Sequence, residues 1–235
     1  MGQFDQRNDS LVQNASTGVQ AFMSQVYGWM TVGLLLTAFV AWYSLSSGLF
    51  VTIATNKVLF FGMIIAELGL VMGLSFLLPK MSGTIATGMF MLYALLTGLT
   101  ISVILAVYTG ESVVGTFIIT AVMFGALSFY GYTTKRSLTG MGNFLFMALI
   151  GLVVASLVNI WLQSSMMYWV ITYGGVILFA ALTAYDTQKL KEMGEQINQD
   201  DRENMRKYSI MGALSLYLDF INLFLMLLRI FGDRR

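Results

Sequence analysis

Three carboxylic acids interrupt stretches of the chain that are otherwise apolar. Residues 214–232 read LSLYLDFINLFLMLLRIFG, with Asp219 near the middle of the run. Glu67 lies inside a second apolar stretch, Asp186 lies at the edge of a third, and Lys80 closes the stretch that contains Glu67. An ionised side chain at the centre of a bilayer costs roughly 3 kcal/mol or more, so such residues face the interior of a helix bundle and often mark a proton or ion path. These four residues are therefore the candidates for chemistry.

The residue types that are missing narrow that chemistry. The chain has no cysteine and no histidine, which excludes thiol nucleophiles, disulfides, histidine bases and histidine metal sites. Tyr185 and Asp186 match the first half of the intramembrane aspartyl protease signature, but Asp219 follows Leu-Tyr-Leu rather than Gly-x-Gly. The only proline, Pro79, rules out the Pro-Ala-Leu motif of those enzymes. No nucleotide-binding motif occurs, and we predict neither enzymatic activity nor a cofactor.

The elements that position these residues are transmembrane helices. Charged residues make up 11% of the 235 residues, against about 25% in soluble domains. The stretches 10–56 and 137–185 carry no charge, and each can hold two spans of about 20 residues. We predict an all-α membrane protein with seven transmembrane helices, at about 22–45, 58–78, 84–107, 112–131, 142–163, 167–188 and 208–231. They form a single domain, 22–232, after a polar tail, 1–21, with a long charged loop at about 189–207.

The basic residues predict the orientation, because Lys and Arg concentrate on the cytoplasmic side of membrane proteins. With the N-terminus in the cytoplasm, nine of the 13 basic residues lie inside: Arg7, Lys80, Lys135, Arg136, Lys189, Lys191, Arg202, Arg206 and Lys207. The other four lie outside: Lys57, Arg229, Arg234 and Arg235. We therefore predict a cytoplasmic N-terminus and a C-terminus outside.

Asp186 and Asp219 meet only under one condition. At about 1.5 Å per residue, Asp219 lies roughly 16 Å into the last span, whereas Asp186 lies near the end of the preceding one. They come together if the sixth span continues as a helix beyond residue 188 or if the seventh begins earlier. Two adjacent carboxylates cannot both ionise cheaply and would share a proton, which makes a proton-sensitive latch between the helices.

Other arrangements of the acids stay open at this stage. Each aspartate could instead be neutral and separately hydrogen-bonded, for example Asp219 to Asn222 or to a tyrosine hydroxyl. Lys80 could compensate the charge of the pair. Glu67 lies at central depth with no evident partner, and it could be either a functional group or a satisfied contact in the core.

Three motifs carry a resemblance to a known family. GALSLYLDFINLFLMLLRIFG at 212–232, AYDTQKLK at 184–191 and GYTTKRSLTGMGNFLFMALIG at 131–151 resemble segments of the Bax inhibitor family, or transmembrane Bax inhibitor motif proteins. The likeness is to bacterial inner-membrane members. It implies that the C-terminal helix is central and wrapped by the other six, and that Asp186 and Asp219 form a di-aspartyl pH sensor. It also favours the extended sixth span.

The resemblance implies two functions. One is a pH-sensitive calcium leak through the inner membrane, with calcium as the transported ion in weak, transient contact with Asp186 and Asp219. The alternative is a regulatory protein that binds and modulates a membrane-bound AAA protease through the tail 1–20 or the loop 189–207. One feature departs from the family: SFLLPKMSG, at 75–83, lacks the arginine that contacts the aspartates in channel-like members, and Lys80 is the only basic candidate there.

Overall fold

The fold is a set of eight α-helices in the part of the chain that the structure describes. The structure is a computed structural model. It describes the backbone of residues 2–197 and 201–235, and the side chains of residues 17–197 and 201–235. The helices are α1 (Gly2–Ser47), α2 (Leu49–Thr55), α3 (Lys57–Leu77), α4 (Gly83–Leu105), α5 (Gly110–Thr133), α6 (Gly142–Leu162), α7 (Ser165–Gln196) and α8 (Arg202–Phe231).

Seven of these helices are long and apolar enough to cross a membrane, namely all except α2. The prediction of seven spans is confirmed, and every predicted span overlaps one helix. The short helix α2 was not predicted, because its sequence LFVTIAT continues the apolar character of α1. Gly48 separates the two helices with a φ of 76°, a left-handed conformation that glycine adopts without steric cost.

The segment 189–207, predicted to be a charged loop, is largely helical. Helix α7 continues to Gln196 and α8 begins at Arg202. The extension of the sixth span, favoured by the resemblance, is therefore present, and the seventh span also begins earlier than the apolar pattern indicated. Residues 198–200 of the predicted loop lie outside the described residues, as do the side chains of the predicted tail up to residue 16.

Helix α8 is the most buried of the seven spans. Of its apolar window, 67% is buried, compared with 11% for α3 and 6% for α6. A helix enclosed by protein on most sides is what a central position requires, and the prediction of a central C-terminal helix is confirmed. This enclosure answers how α8 can carry a carboxylate, because Asp219 faces protein rather than lipid.

The chain divides into two compact units. The first comprises residues 1–106 and 190–214. In this unit α1 packs on α4, where the Thr37 hydroxyl donates to the Ala94 carbonyl at 2.8 Å and the hydroxyls of Ser44 and Ser102 lie 2.9 Å apart. Small residues and interhelical hydrogen bonds of this kind hold transmembrane helices together where the hydrophobic effect cannot.

The second unit comprises residues 107–189 and 215–235. Its core holds Phe179 of α7 against three residues of α8, Leu223, Met226 and Leu227. The Phe220 ring makes edge-on contacts with rings of α5. The second unit therefore fixes α8 to both α5 and α7.

Candidate functional site

Both aspartates singled out by the sequence lie in the second unit, on helices that run antiparallel. Gly175 of α7 lies against the side chain of Met226 of α8. Eleven residues onward from Gly175 is Asp186, and eleven residues back from Met226 is Ser215. Ser215 is therefore the residue of α8 at the level of Asp186, and Asp219 lies four residues, or about 6 Å along the helix axis, from that level. The two aspartates are thus offset by about one helical turn along the paired helices.

The two carboxyl groups are near enough to interact electrostatically. Asp219 is only 5% exposed, and its Oδ2 atom has no hydrogen-bond partner among the described residues. The amide of Asn222, the alternative partner, donates to the Leu218 carbonyl at 2.8 Å. The structure therefore places the two carboxyl groups within electrostatic range of each other and leaves one buried carboxylate oxygen without a partner among the described residues.

A basic group that acts on Asp186 is Lys189, which the sequence analysis did not single out as part of the site. It lies three residues after Asp186 on α7, and its charge acts on the Asp186 carboxylate. Residues at this spacing are neighbours on a helix surface. The signal was present in the sequence as DTQK, but it becomes meaningful only when α7 is known to continue as a helix past residue 188.

Helix α5 packs against the part of α7 that carries Asp186. The Ser128 hydroxyl lies 2.9 Å from the Thr187 hydroxyl, next in sequence to Asp186. Gly131 approaches the backbone of Ala184 so closely that a Cβ at residue 131 would overlap the Ala184 carbonyl oxygen. The helices α5 and α7 are therefore in backbone contact within one turn of Asp186.

The loop between α5 and α6 is also fastened near Asp186. The buried Gln188 side chain donates to the Arg136 carbonyl at 3.0 Å and accepts from the Leu138 N–H at 2.6 Å. At the start of α6, Gly142 lies against the ring and hydroxyl of Tyr185. Tyr185 and Gln188 both lie within two positions of Asp186 on α7, so a displacement of Asp186 would strain the loop.

The other two candidates lie in the first unit. Glu67 of α3 is half-buried and accepts a hydrogen bond from the Thr100 hydroxyl of α4 at 2.8 Å. The sequence analysis found no partner for Glu67, and the structure supplies one. Lys80 is exposed at the end of a 3-10 turn.

The site does not resemble a tight metal centre. Among residues 17–197 and 201–235 no group of three or more acidic side chains gathers around one point. Calcium takes 6–8 oxygen ligands in tight sites, and the aspartate pair offers at most four carboxylate oxygens.

A comparison with protein families identifies the chain. Residues 19–235 match the family described as "Inhibitor of apoptosis-promoting Bax1". The chain belongs to the Bax inhibitor family. This match covers all seven apolar helices, and the protein is an integral membrane protein of that family.

Individual relatives match over almost the whole chain. The "Inner membrane protein YbhL" of Escherichia coli K12 is 63% identical over 230 residues, which cover 97% of this chain and 98% of the relative. An "Uncharacterized protein" of Borreliella burgdorferi is 45% identical, covering 91% and 92%. An "Uncharacterized membrane protein" of Streptococcus pyogenes is 37% identical, covering 96% and 98%. This chain is thus similar from end to end to bacterial members of the Bax inhibitor family.

Proposed function

We propose that this Bax inhibitor family protein is a pH-sensitive calcium leak of the inner membrane, gated by Asp186 and Asp219. The observation that carries the proposal is the buried Oδ2 atom of Asp219, which lacks a hydrogen-bond partner among the described residues and lies beside a second carboxyl group. A buried polar atom left unsatisfied costs about 1–3 kcal/mol. Such a cost is tolerated at sites that exchange a proton or contact an ion.

The proposed gate is the contact between α7 and α8. One proton shared between the two carboxyl groups forms a hydrogen bond that holds the helices together, and its loss leaves two like charges at close range. Lys189 offsets part of this repulsion from the Asp186 side. The Ser128–Thr187 hydrogen bond and the loop contacts of Gln188 link a movement of α7 to α5 and α6.

Calcium is the proposed transported ion, and no cofactor or catalytic step is involved. A leak needs transient coordination, and two carboxylates provide that without holding the ion. The proposed orientation has the N-terminus in the cytoplasm and the C-terminus outside, following the positive-inside rule. The name of the E. coli relative supports the inner membrane as the location.

The test is calcium influx into liposomes that contain the purified protein, measured over about three pH units around neutrality. We expect flux that depends on pH in the wild type and loses this dependence in Asp186→Asn and Asp219→Asn. The matched control is Asp233→Asn, because Asp233 is an exposed acid of the same unit, and it should behave as the wild type. Lys189→Gln should displace the pH dependence without abolishing the flux.

A flux no greater than that of empty liposomes at every pH would refute the leak. The alternative function, binding and modulating a membrane-bound AAA protease, would then be preferred. The polar surface around residues 201–207, where α8 begins with the exposed charged side chains of Arg202 and Glu203, supports that alternative. Co-purification of such a protease with the wild type, but not with a variant altered in that surface, is its test.

A further inference from the structure

An open groove of about 390 Å³ lies in the second unit, between α5, the α5–α6 loop and α7. Its floor is a patch of small side chains on α7: Ala180, Ala181 and Ala184. Apolar side chains, including Leu127 and Met141, form its walls. The volume falls within the range of about 300–1,000 Å³ that is usual for sites of small organic ligands.

The groove is separate from the aspartate site. Ala184 and Asp186 are two positions apart on α7, which turns them about 200° away from each other around the helix axis. The floor of the groove is therefore on the opposite side of α7 from the carboxylate pair. The groove and the proposed gate use different faces of one helix.

The rim of the groove is basic. The loop 134–141 reads TKRSLTGM and contains two cations and no acid. Arg136 lines the groove, and its side chain is exposed. Its backbone carbonyl accepts a hydrogen bond from Gln188 at 3.0 Å, so the backbone of the loop is fixed while the Arg136 side chain stays exposed. Tyr130, also on the rim, is half exposed, as is typical of tyrosines at the membrane interface.

We infer that this groove binds an anionic phospholipid. An acyl chain lies over the alanine floor, and the phosphate group is bound by the Arg136 guanidinium, which can form two parallel hydrogen bonds with phosphate oxygens. The loop follows the end of α5 and precedes α6, so the rim lies at the depth of lipid headgroups. Basic pockets between transmembrane helices are suited to anionic headgroups, and this charge complementarity selects an anionic over a neutral lipid.

The test is a titration of the delipidated full-length protein in neutral detergent, with bound lipid counted by native mass spectrometry. The probes are phosphatidylglycerol and phosphatidylcholine with identical acyl chains. We expect tighter binding of phosphatidylglycerol and a loss of about fivefold in its affinity in Arg136→Gln. The control is Lys135→Gln, which removes the same charge from the neighbouring residue that does not line the groove, and it should change affinity less than about twofold.

A second pair of variants tests the floor. Ala181→Phe fills the groove and should abolish the preference for phosphatidylglycerol. Ala126→Phe adds the same bulk at an exposed position of α5 outside the groove and should leave binding unchanged. Equal affinity for the two lipids, or equal losses in Arg136→Gln and Lys135→Gln, would overturn the inference, because binding would then be a general attraction of the surface.

Discussion

The backbone contact between α5 and α7 can be tested by adding one methyl group. In Gly131→Ala, the new Cβ would overlap the carbonyl oxygen of Ala184 and lie 3.0 Å from its Cα atom. Ordinary van der Waals contact begins at 3.4 Å. The atoms in the way are helix backbone and cannot rotate aside, so the two helices must separate by roughly 1 Å.

The cost follows from two contributions. Overpacking of a tight contact destabilises by about 1–3 kcal/mol. A separation of this size also breaks the 2.9 Å hydrogen bond between Ser128 and Thr187, which contributes about 1 kcal/mol. Alanine recovers at most about 1 kcal/mol relative to glycine within a helix. We expect a net loss of about 1–3 kcal/mol in the free energy of unfolding, a factor of roughly 5–150 in the equilibrium constant.

The measurement is a denaturant titration in detergent micelles, followed by tryptophan fluorescence. Gly125→Ala is the matched control, because Gly125 lies on the same helix and a Cβ there meets nothing within 4 Å. It should be neutral or slightly stabilising. If the free energies of unfolding of the two variants agree within about 0.5 kcal/mol, α5 and α7 are not in close backbone contact. Helix α5 would then not hold the segment of α7 that carries Asp186.

Three further predictions concern single contacts. Gln188→Ala leaves the buried Leu138 N–H without its acceptor, so we expect a loss of about 1–3 kcal/mol in stability and faster proteolysis of the α5–α6 loop; a proteolysis rate equal to that of the wild type would contradict this. Ser44→Ala removes one interhelical hydrogen bond between α1 and α4 and should cost about 0.6 kcal/mol, with a lower melting temperature as the readout. The pKa of Asp201 lies below its ordinary value of 3.8, because its carboxylate accepts from the Asn204 N–H. The stability that this hydrogen bond gives the folded state is complete above the unfolded pKa of Asp201 and is lost as pH falls through the lower folded pKa. An NMR titration of Asp201 should show a midpoint below 3.8. A midpoint at that ordinary value would contradict the hydrogen bond from Asn204.

Much of the fold is predictable from hydropathy. The seven apolar runs became seven helices, because every backbone group in a bilayer must be hydrogen-bonded within the chain, and a continuous helix satisfies this requirement. The predicted and observed boundaries differ where a helix continues beyond an apolar run or ends inside one. Helix α7 runs on through charged residues to Gln196, and Gly48 ends α1 inside an apolar run.

The candidate site was predictable in part. Asp219 stands out in any reading of the sequence, since a carboxylate in an apolar run is costly. Lys189 did not stand out, because charged residues are common after the end of a span. Its role depends on the extension of α7, which turns a spacing of three residues into neighbours on one helix face. Asn222 was a plausible partner by spacing, yet its amide bonds to the Leu218 carbonyl.

The sequence by itself determined the class of protein, the seven spans and the identity of the acids within them, because hydropathy and charge belong to each residue wherever it lies. The tertiary structure decided which of those acids meet. The distance between Asp186 and Asp219 follows from the register of α7 against α8. Contacts such as Gly175 with Met226 set that register, although Gly175 is eleven residues from Asp186 and Met226 is seven residues from Asp219. Helix register depends on how side chains pack between segments distant in sequence, which no property of a single segment specifies.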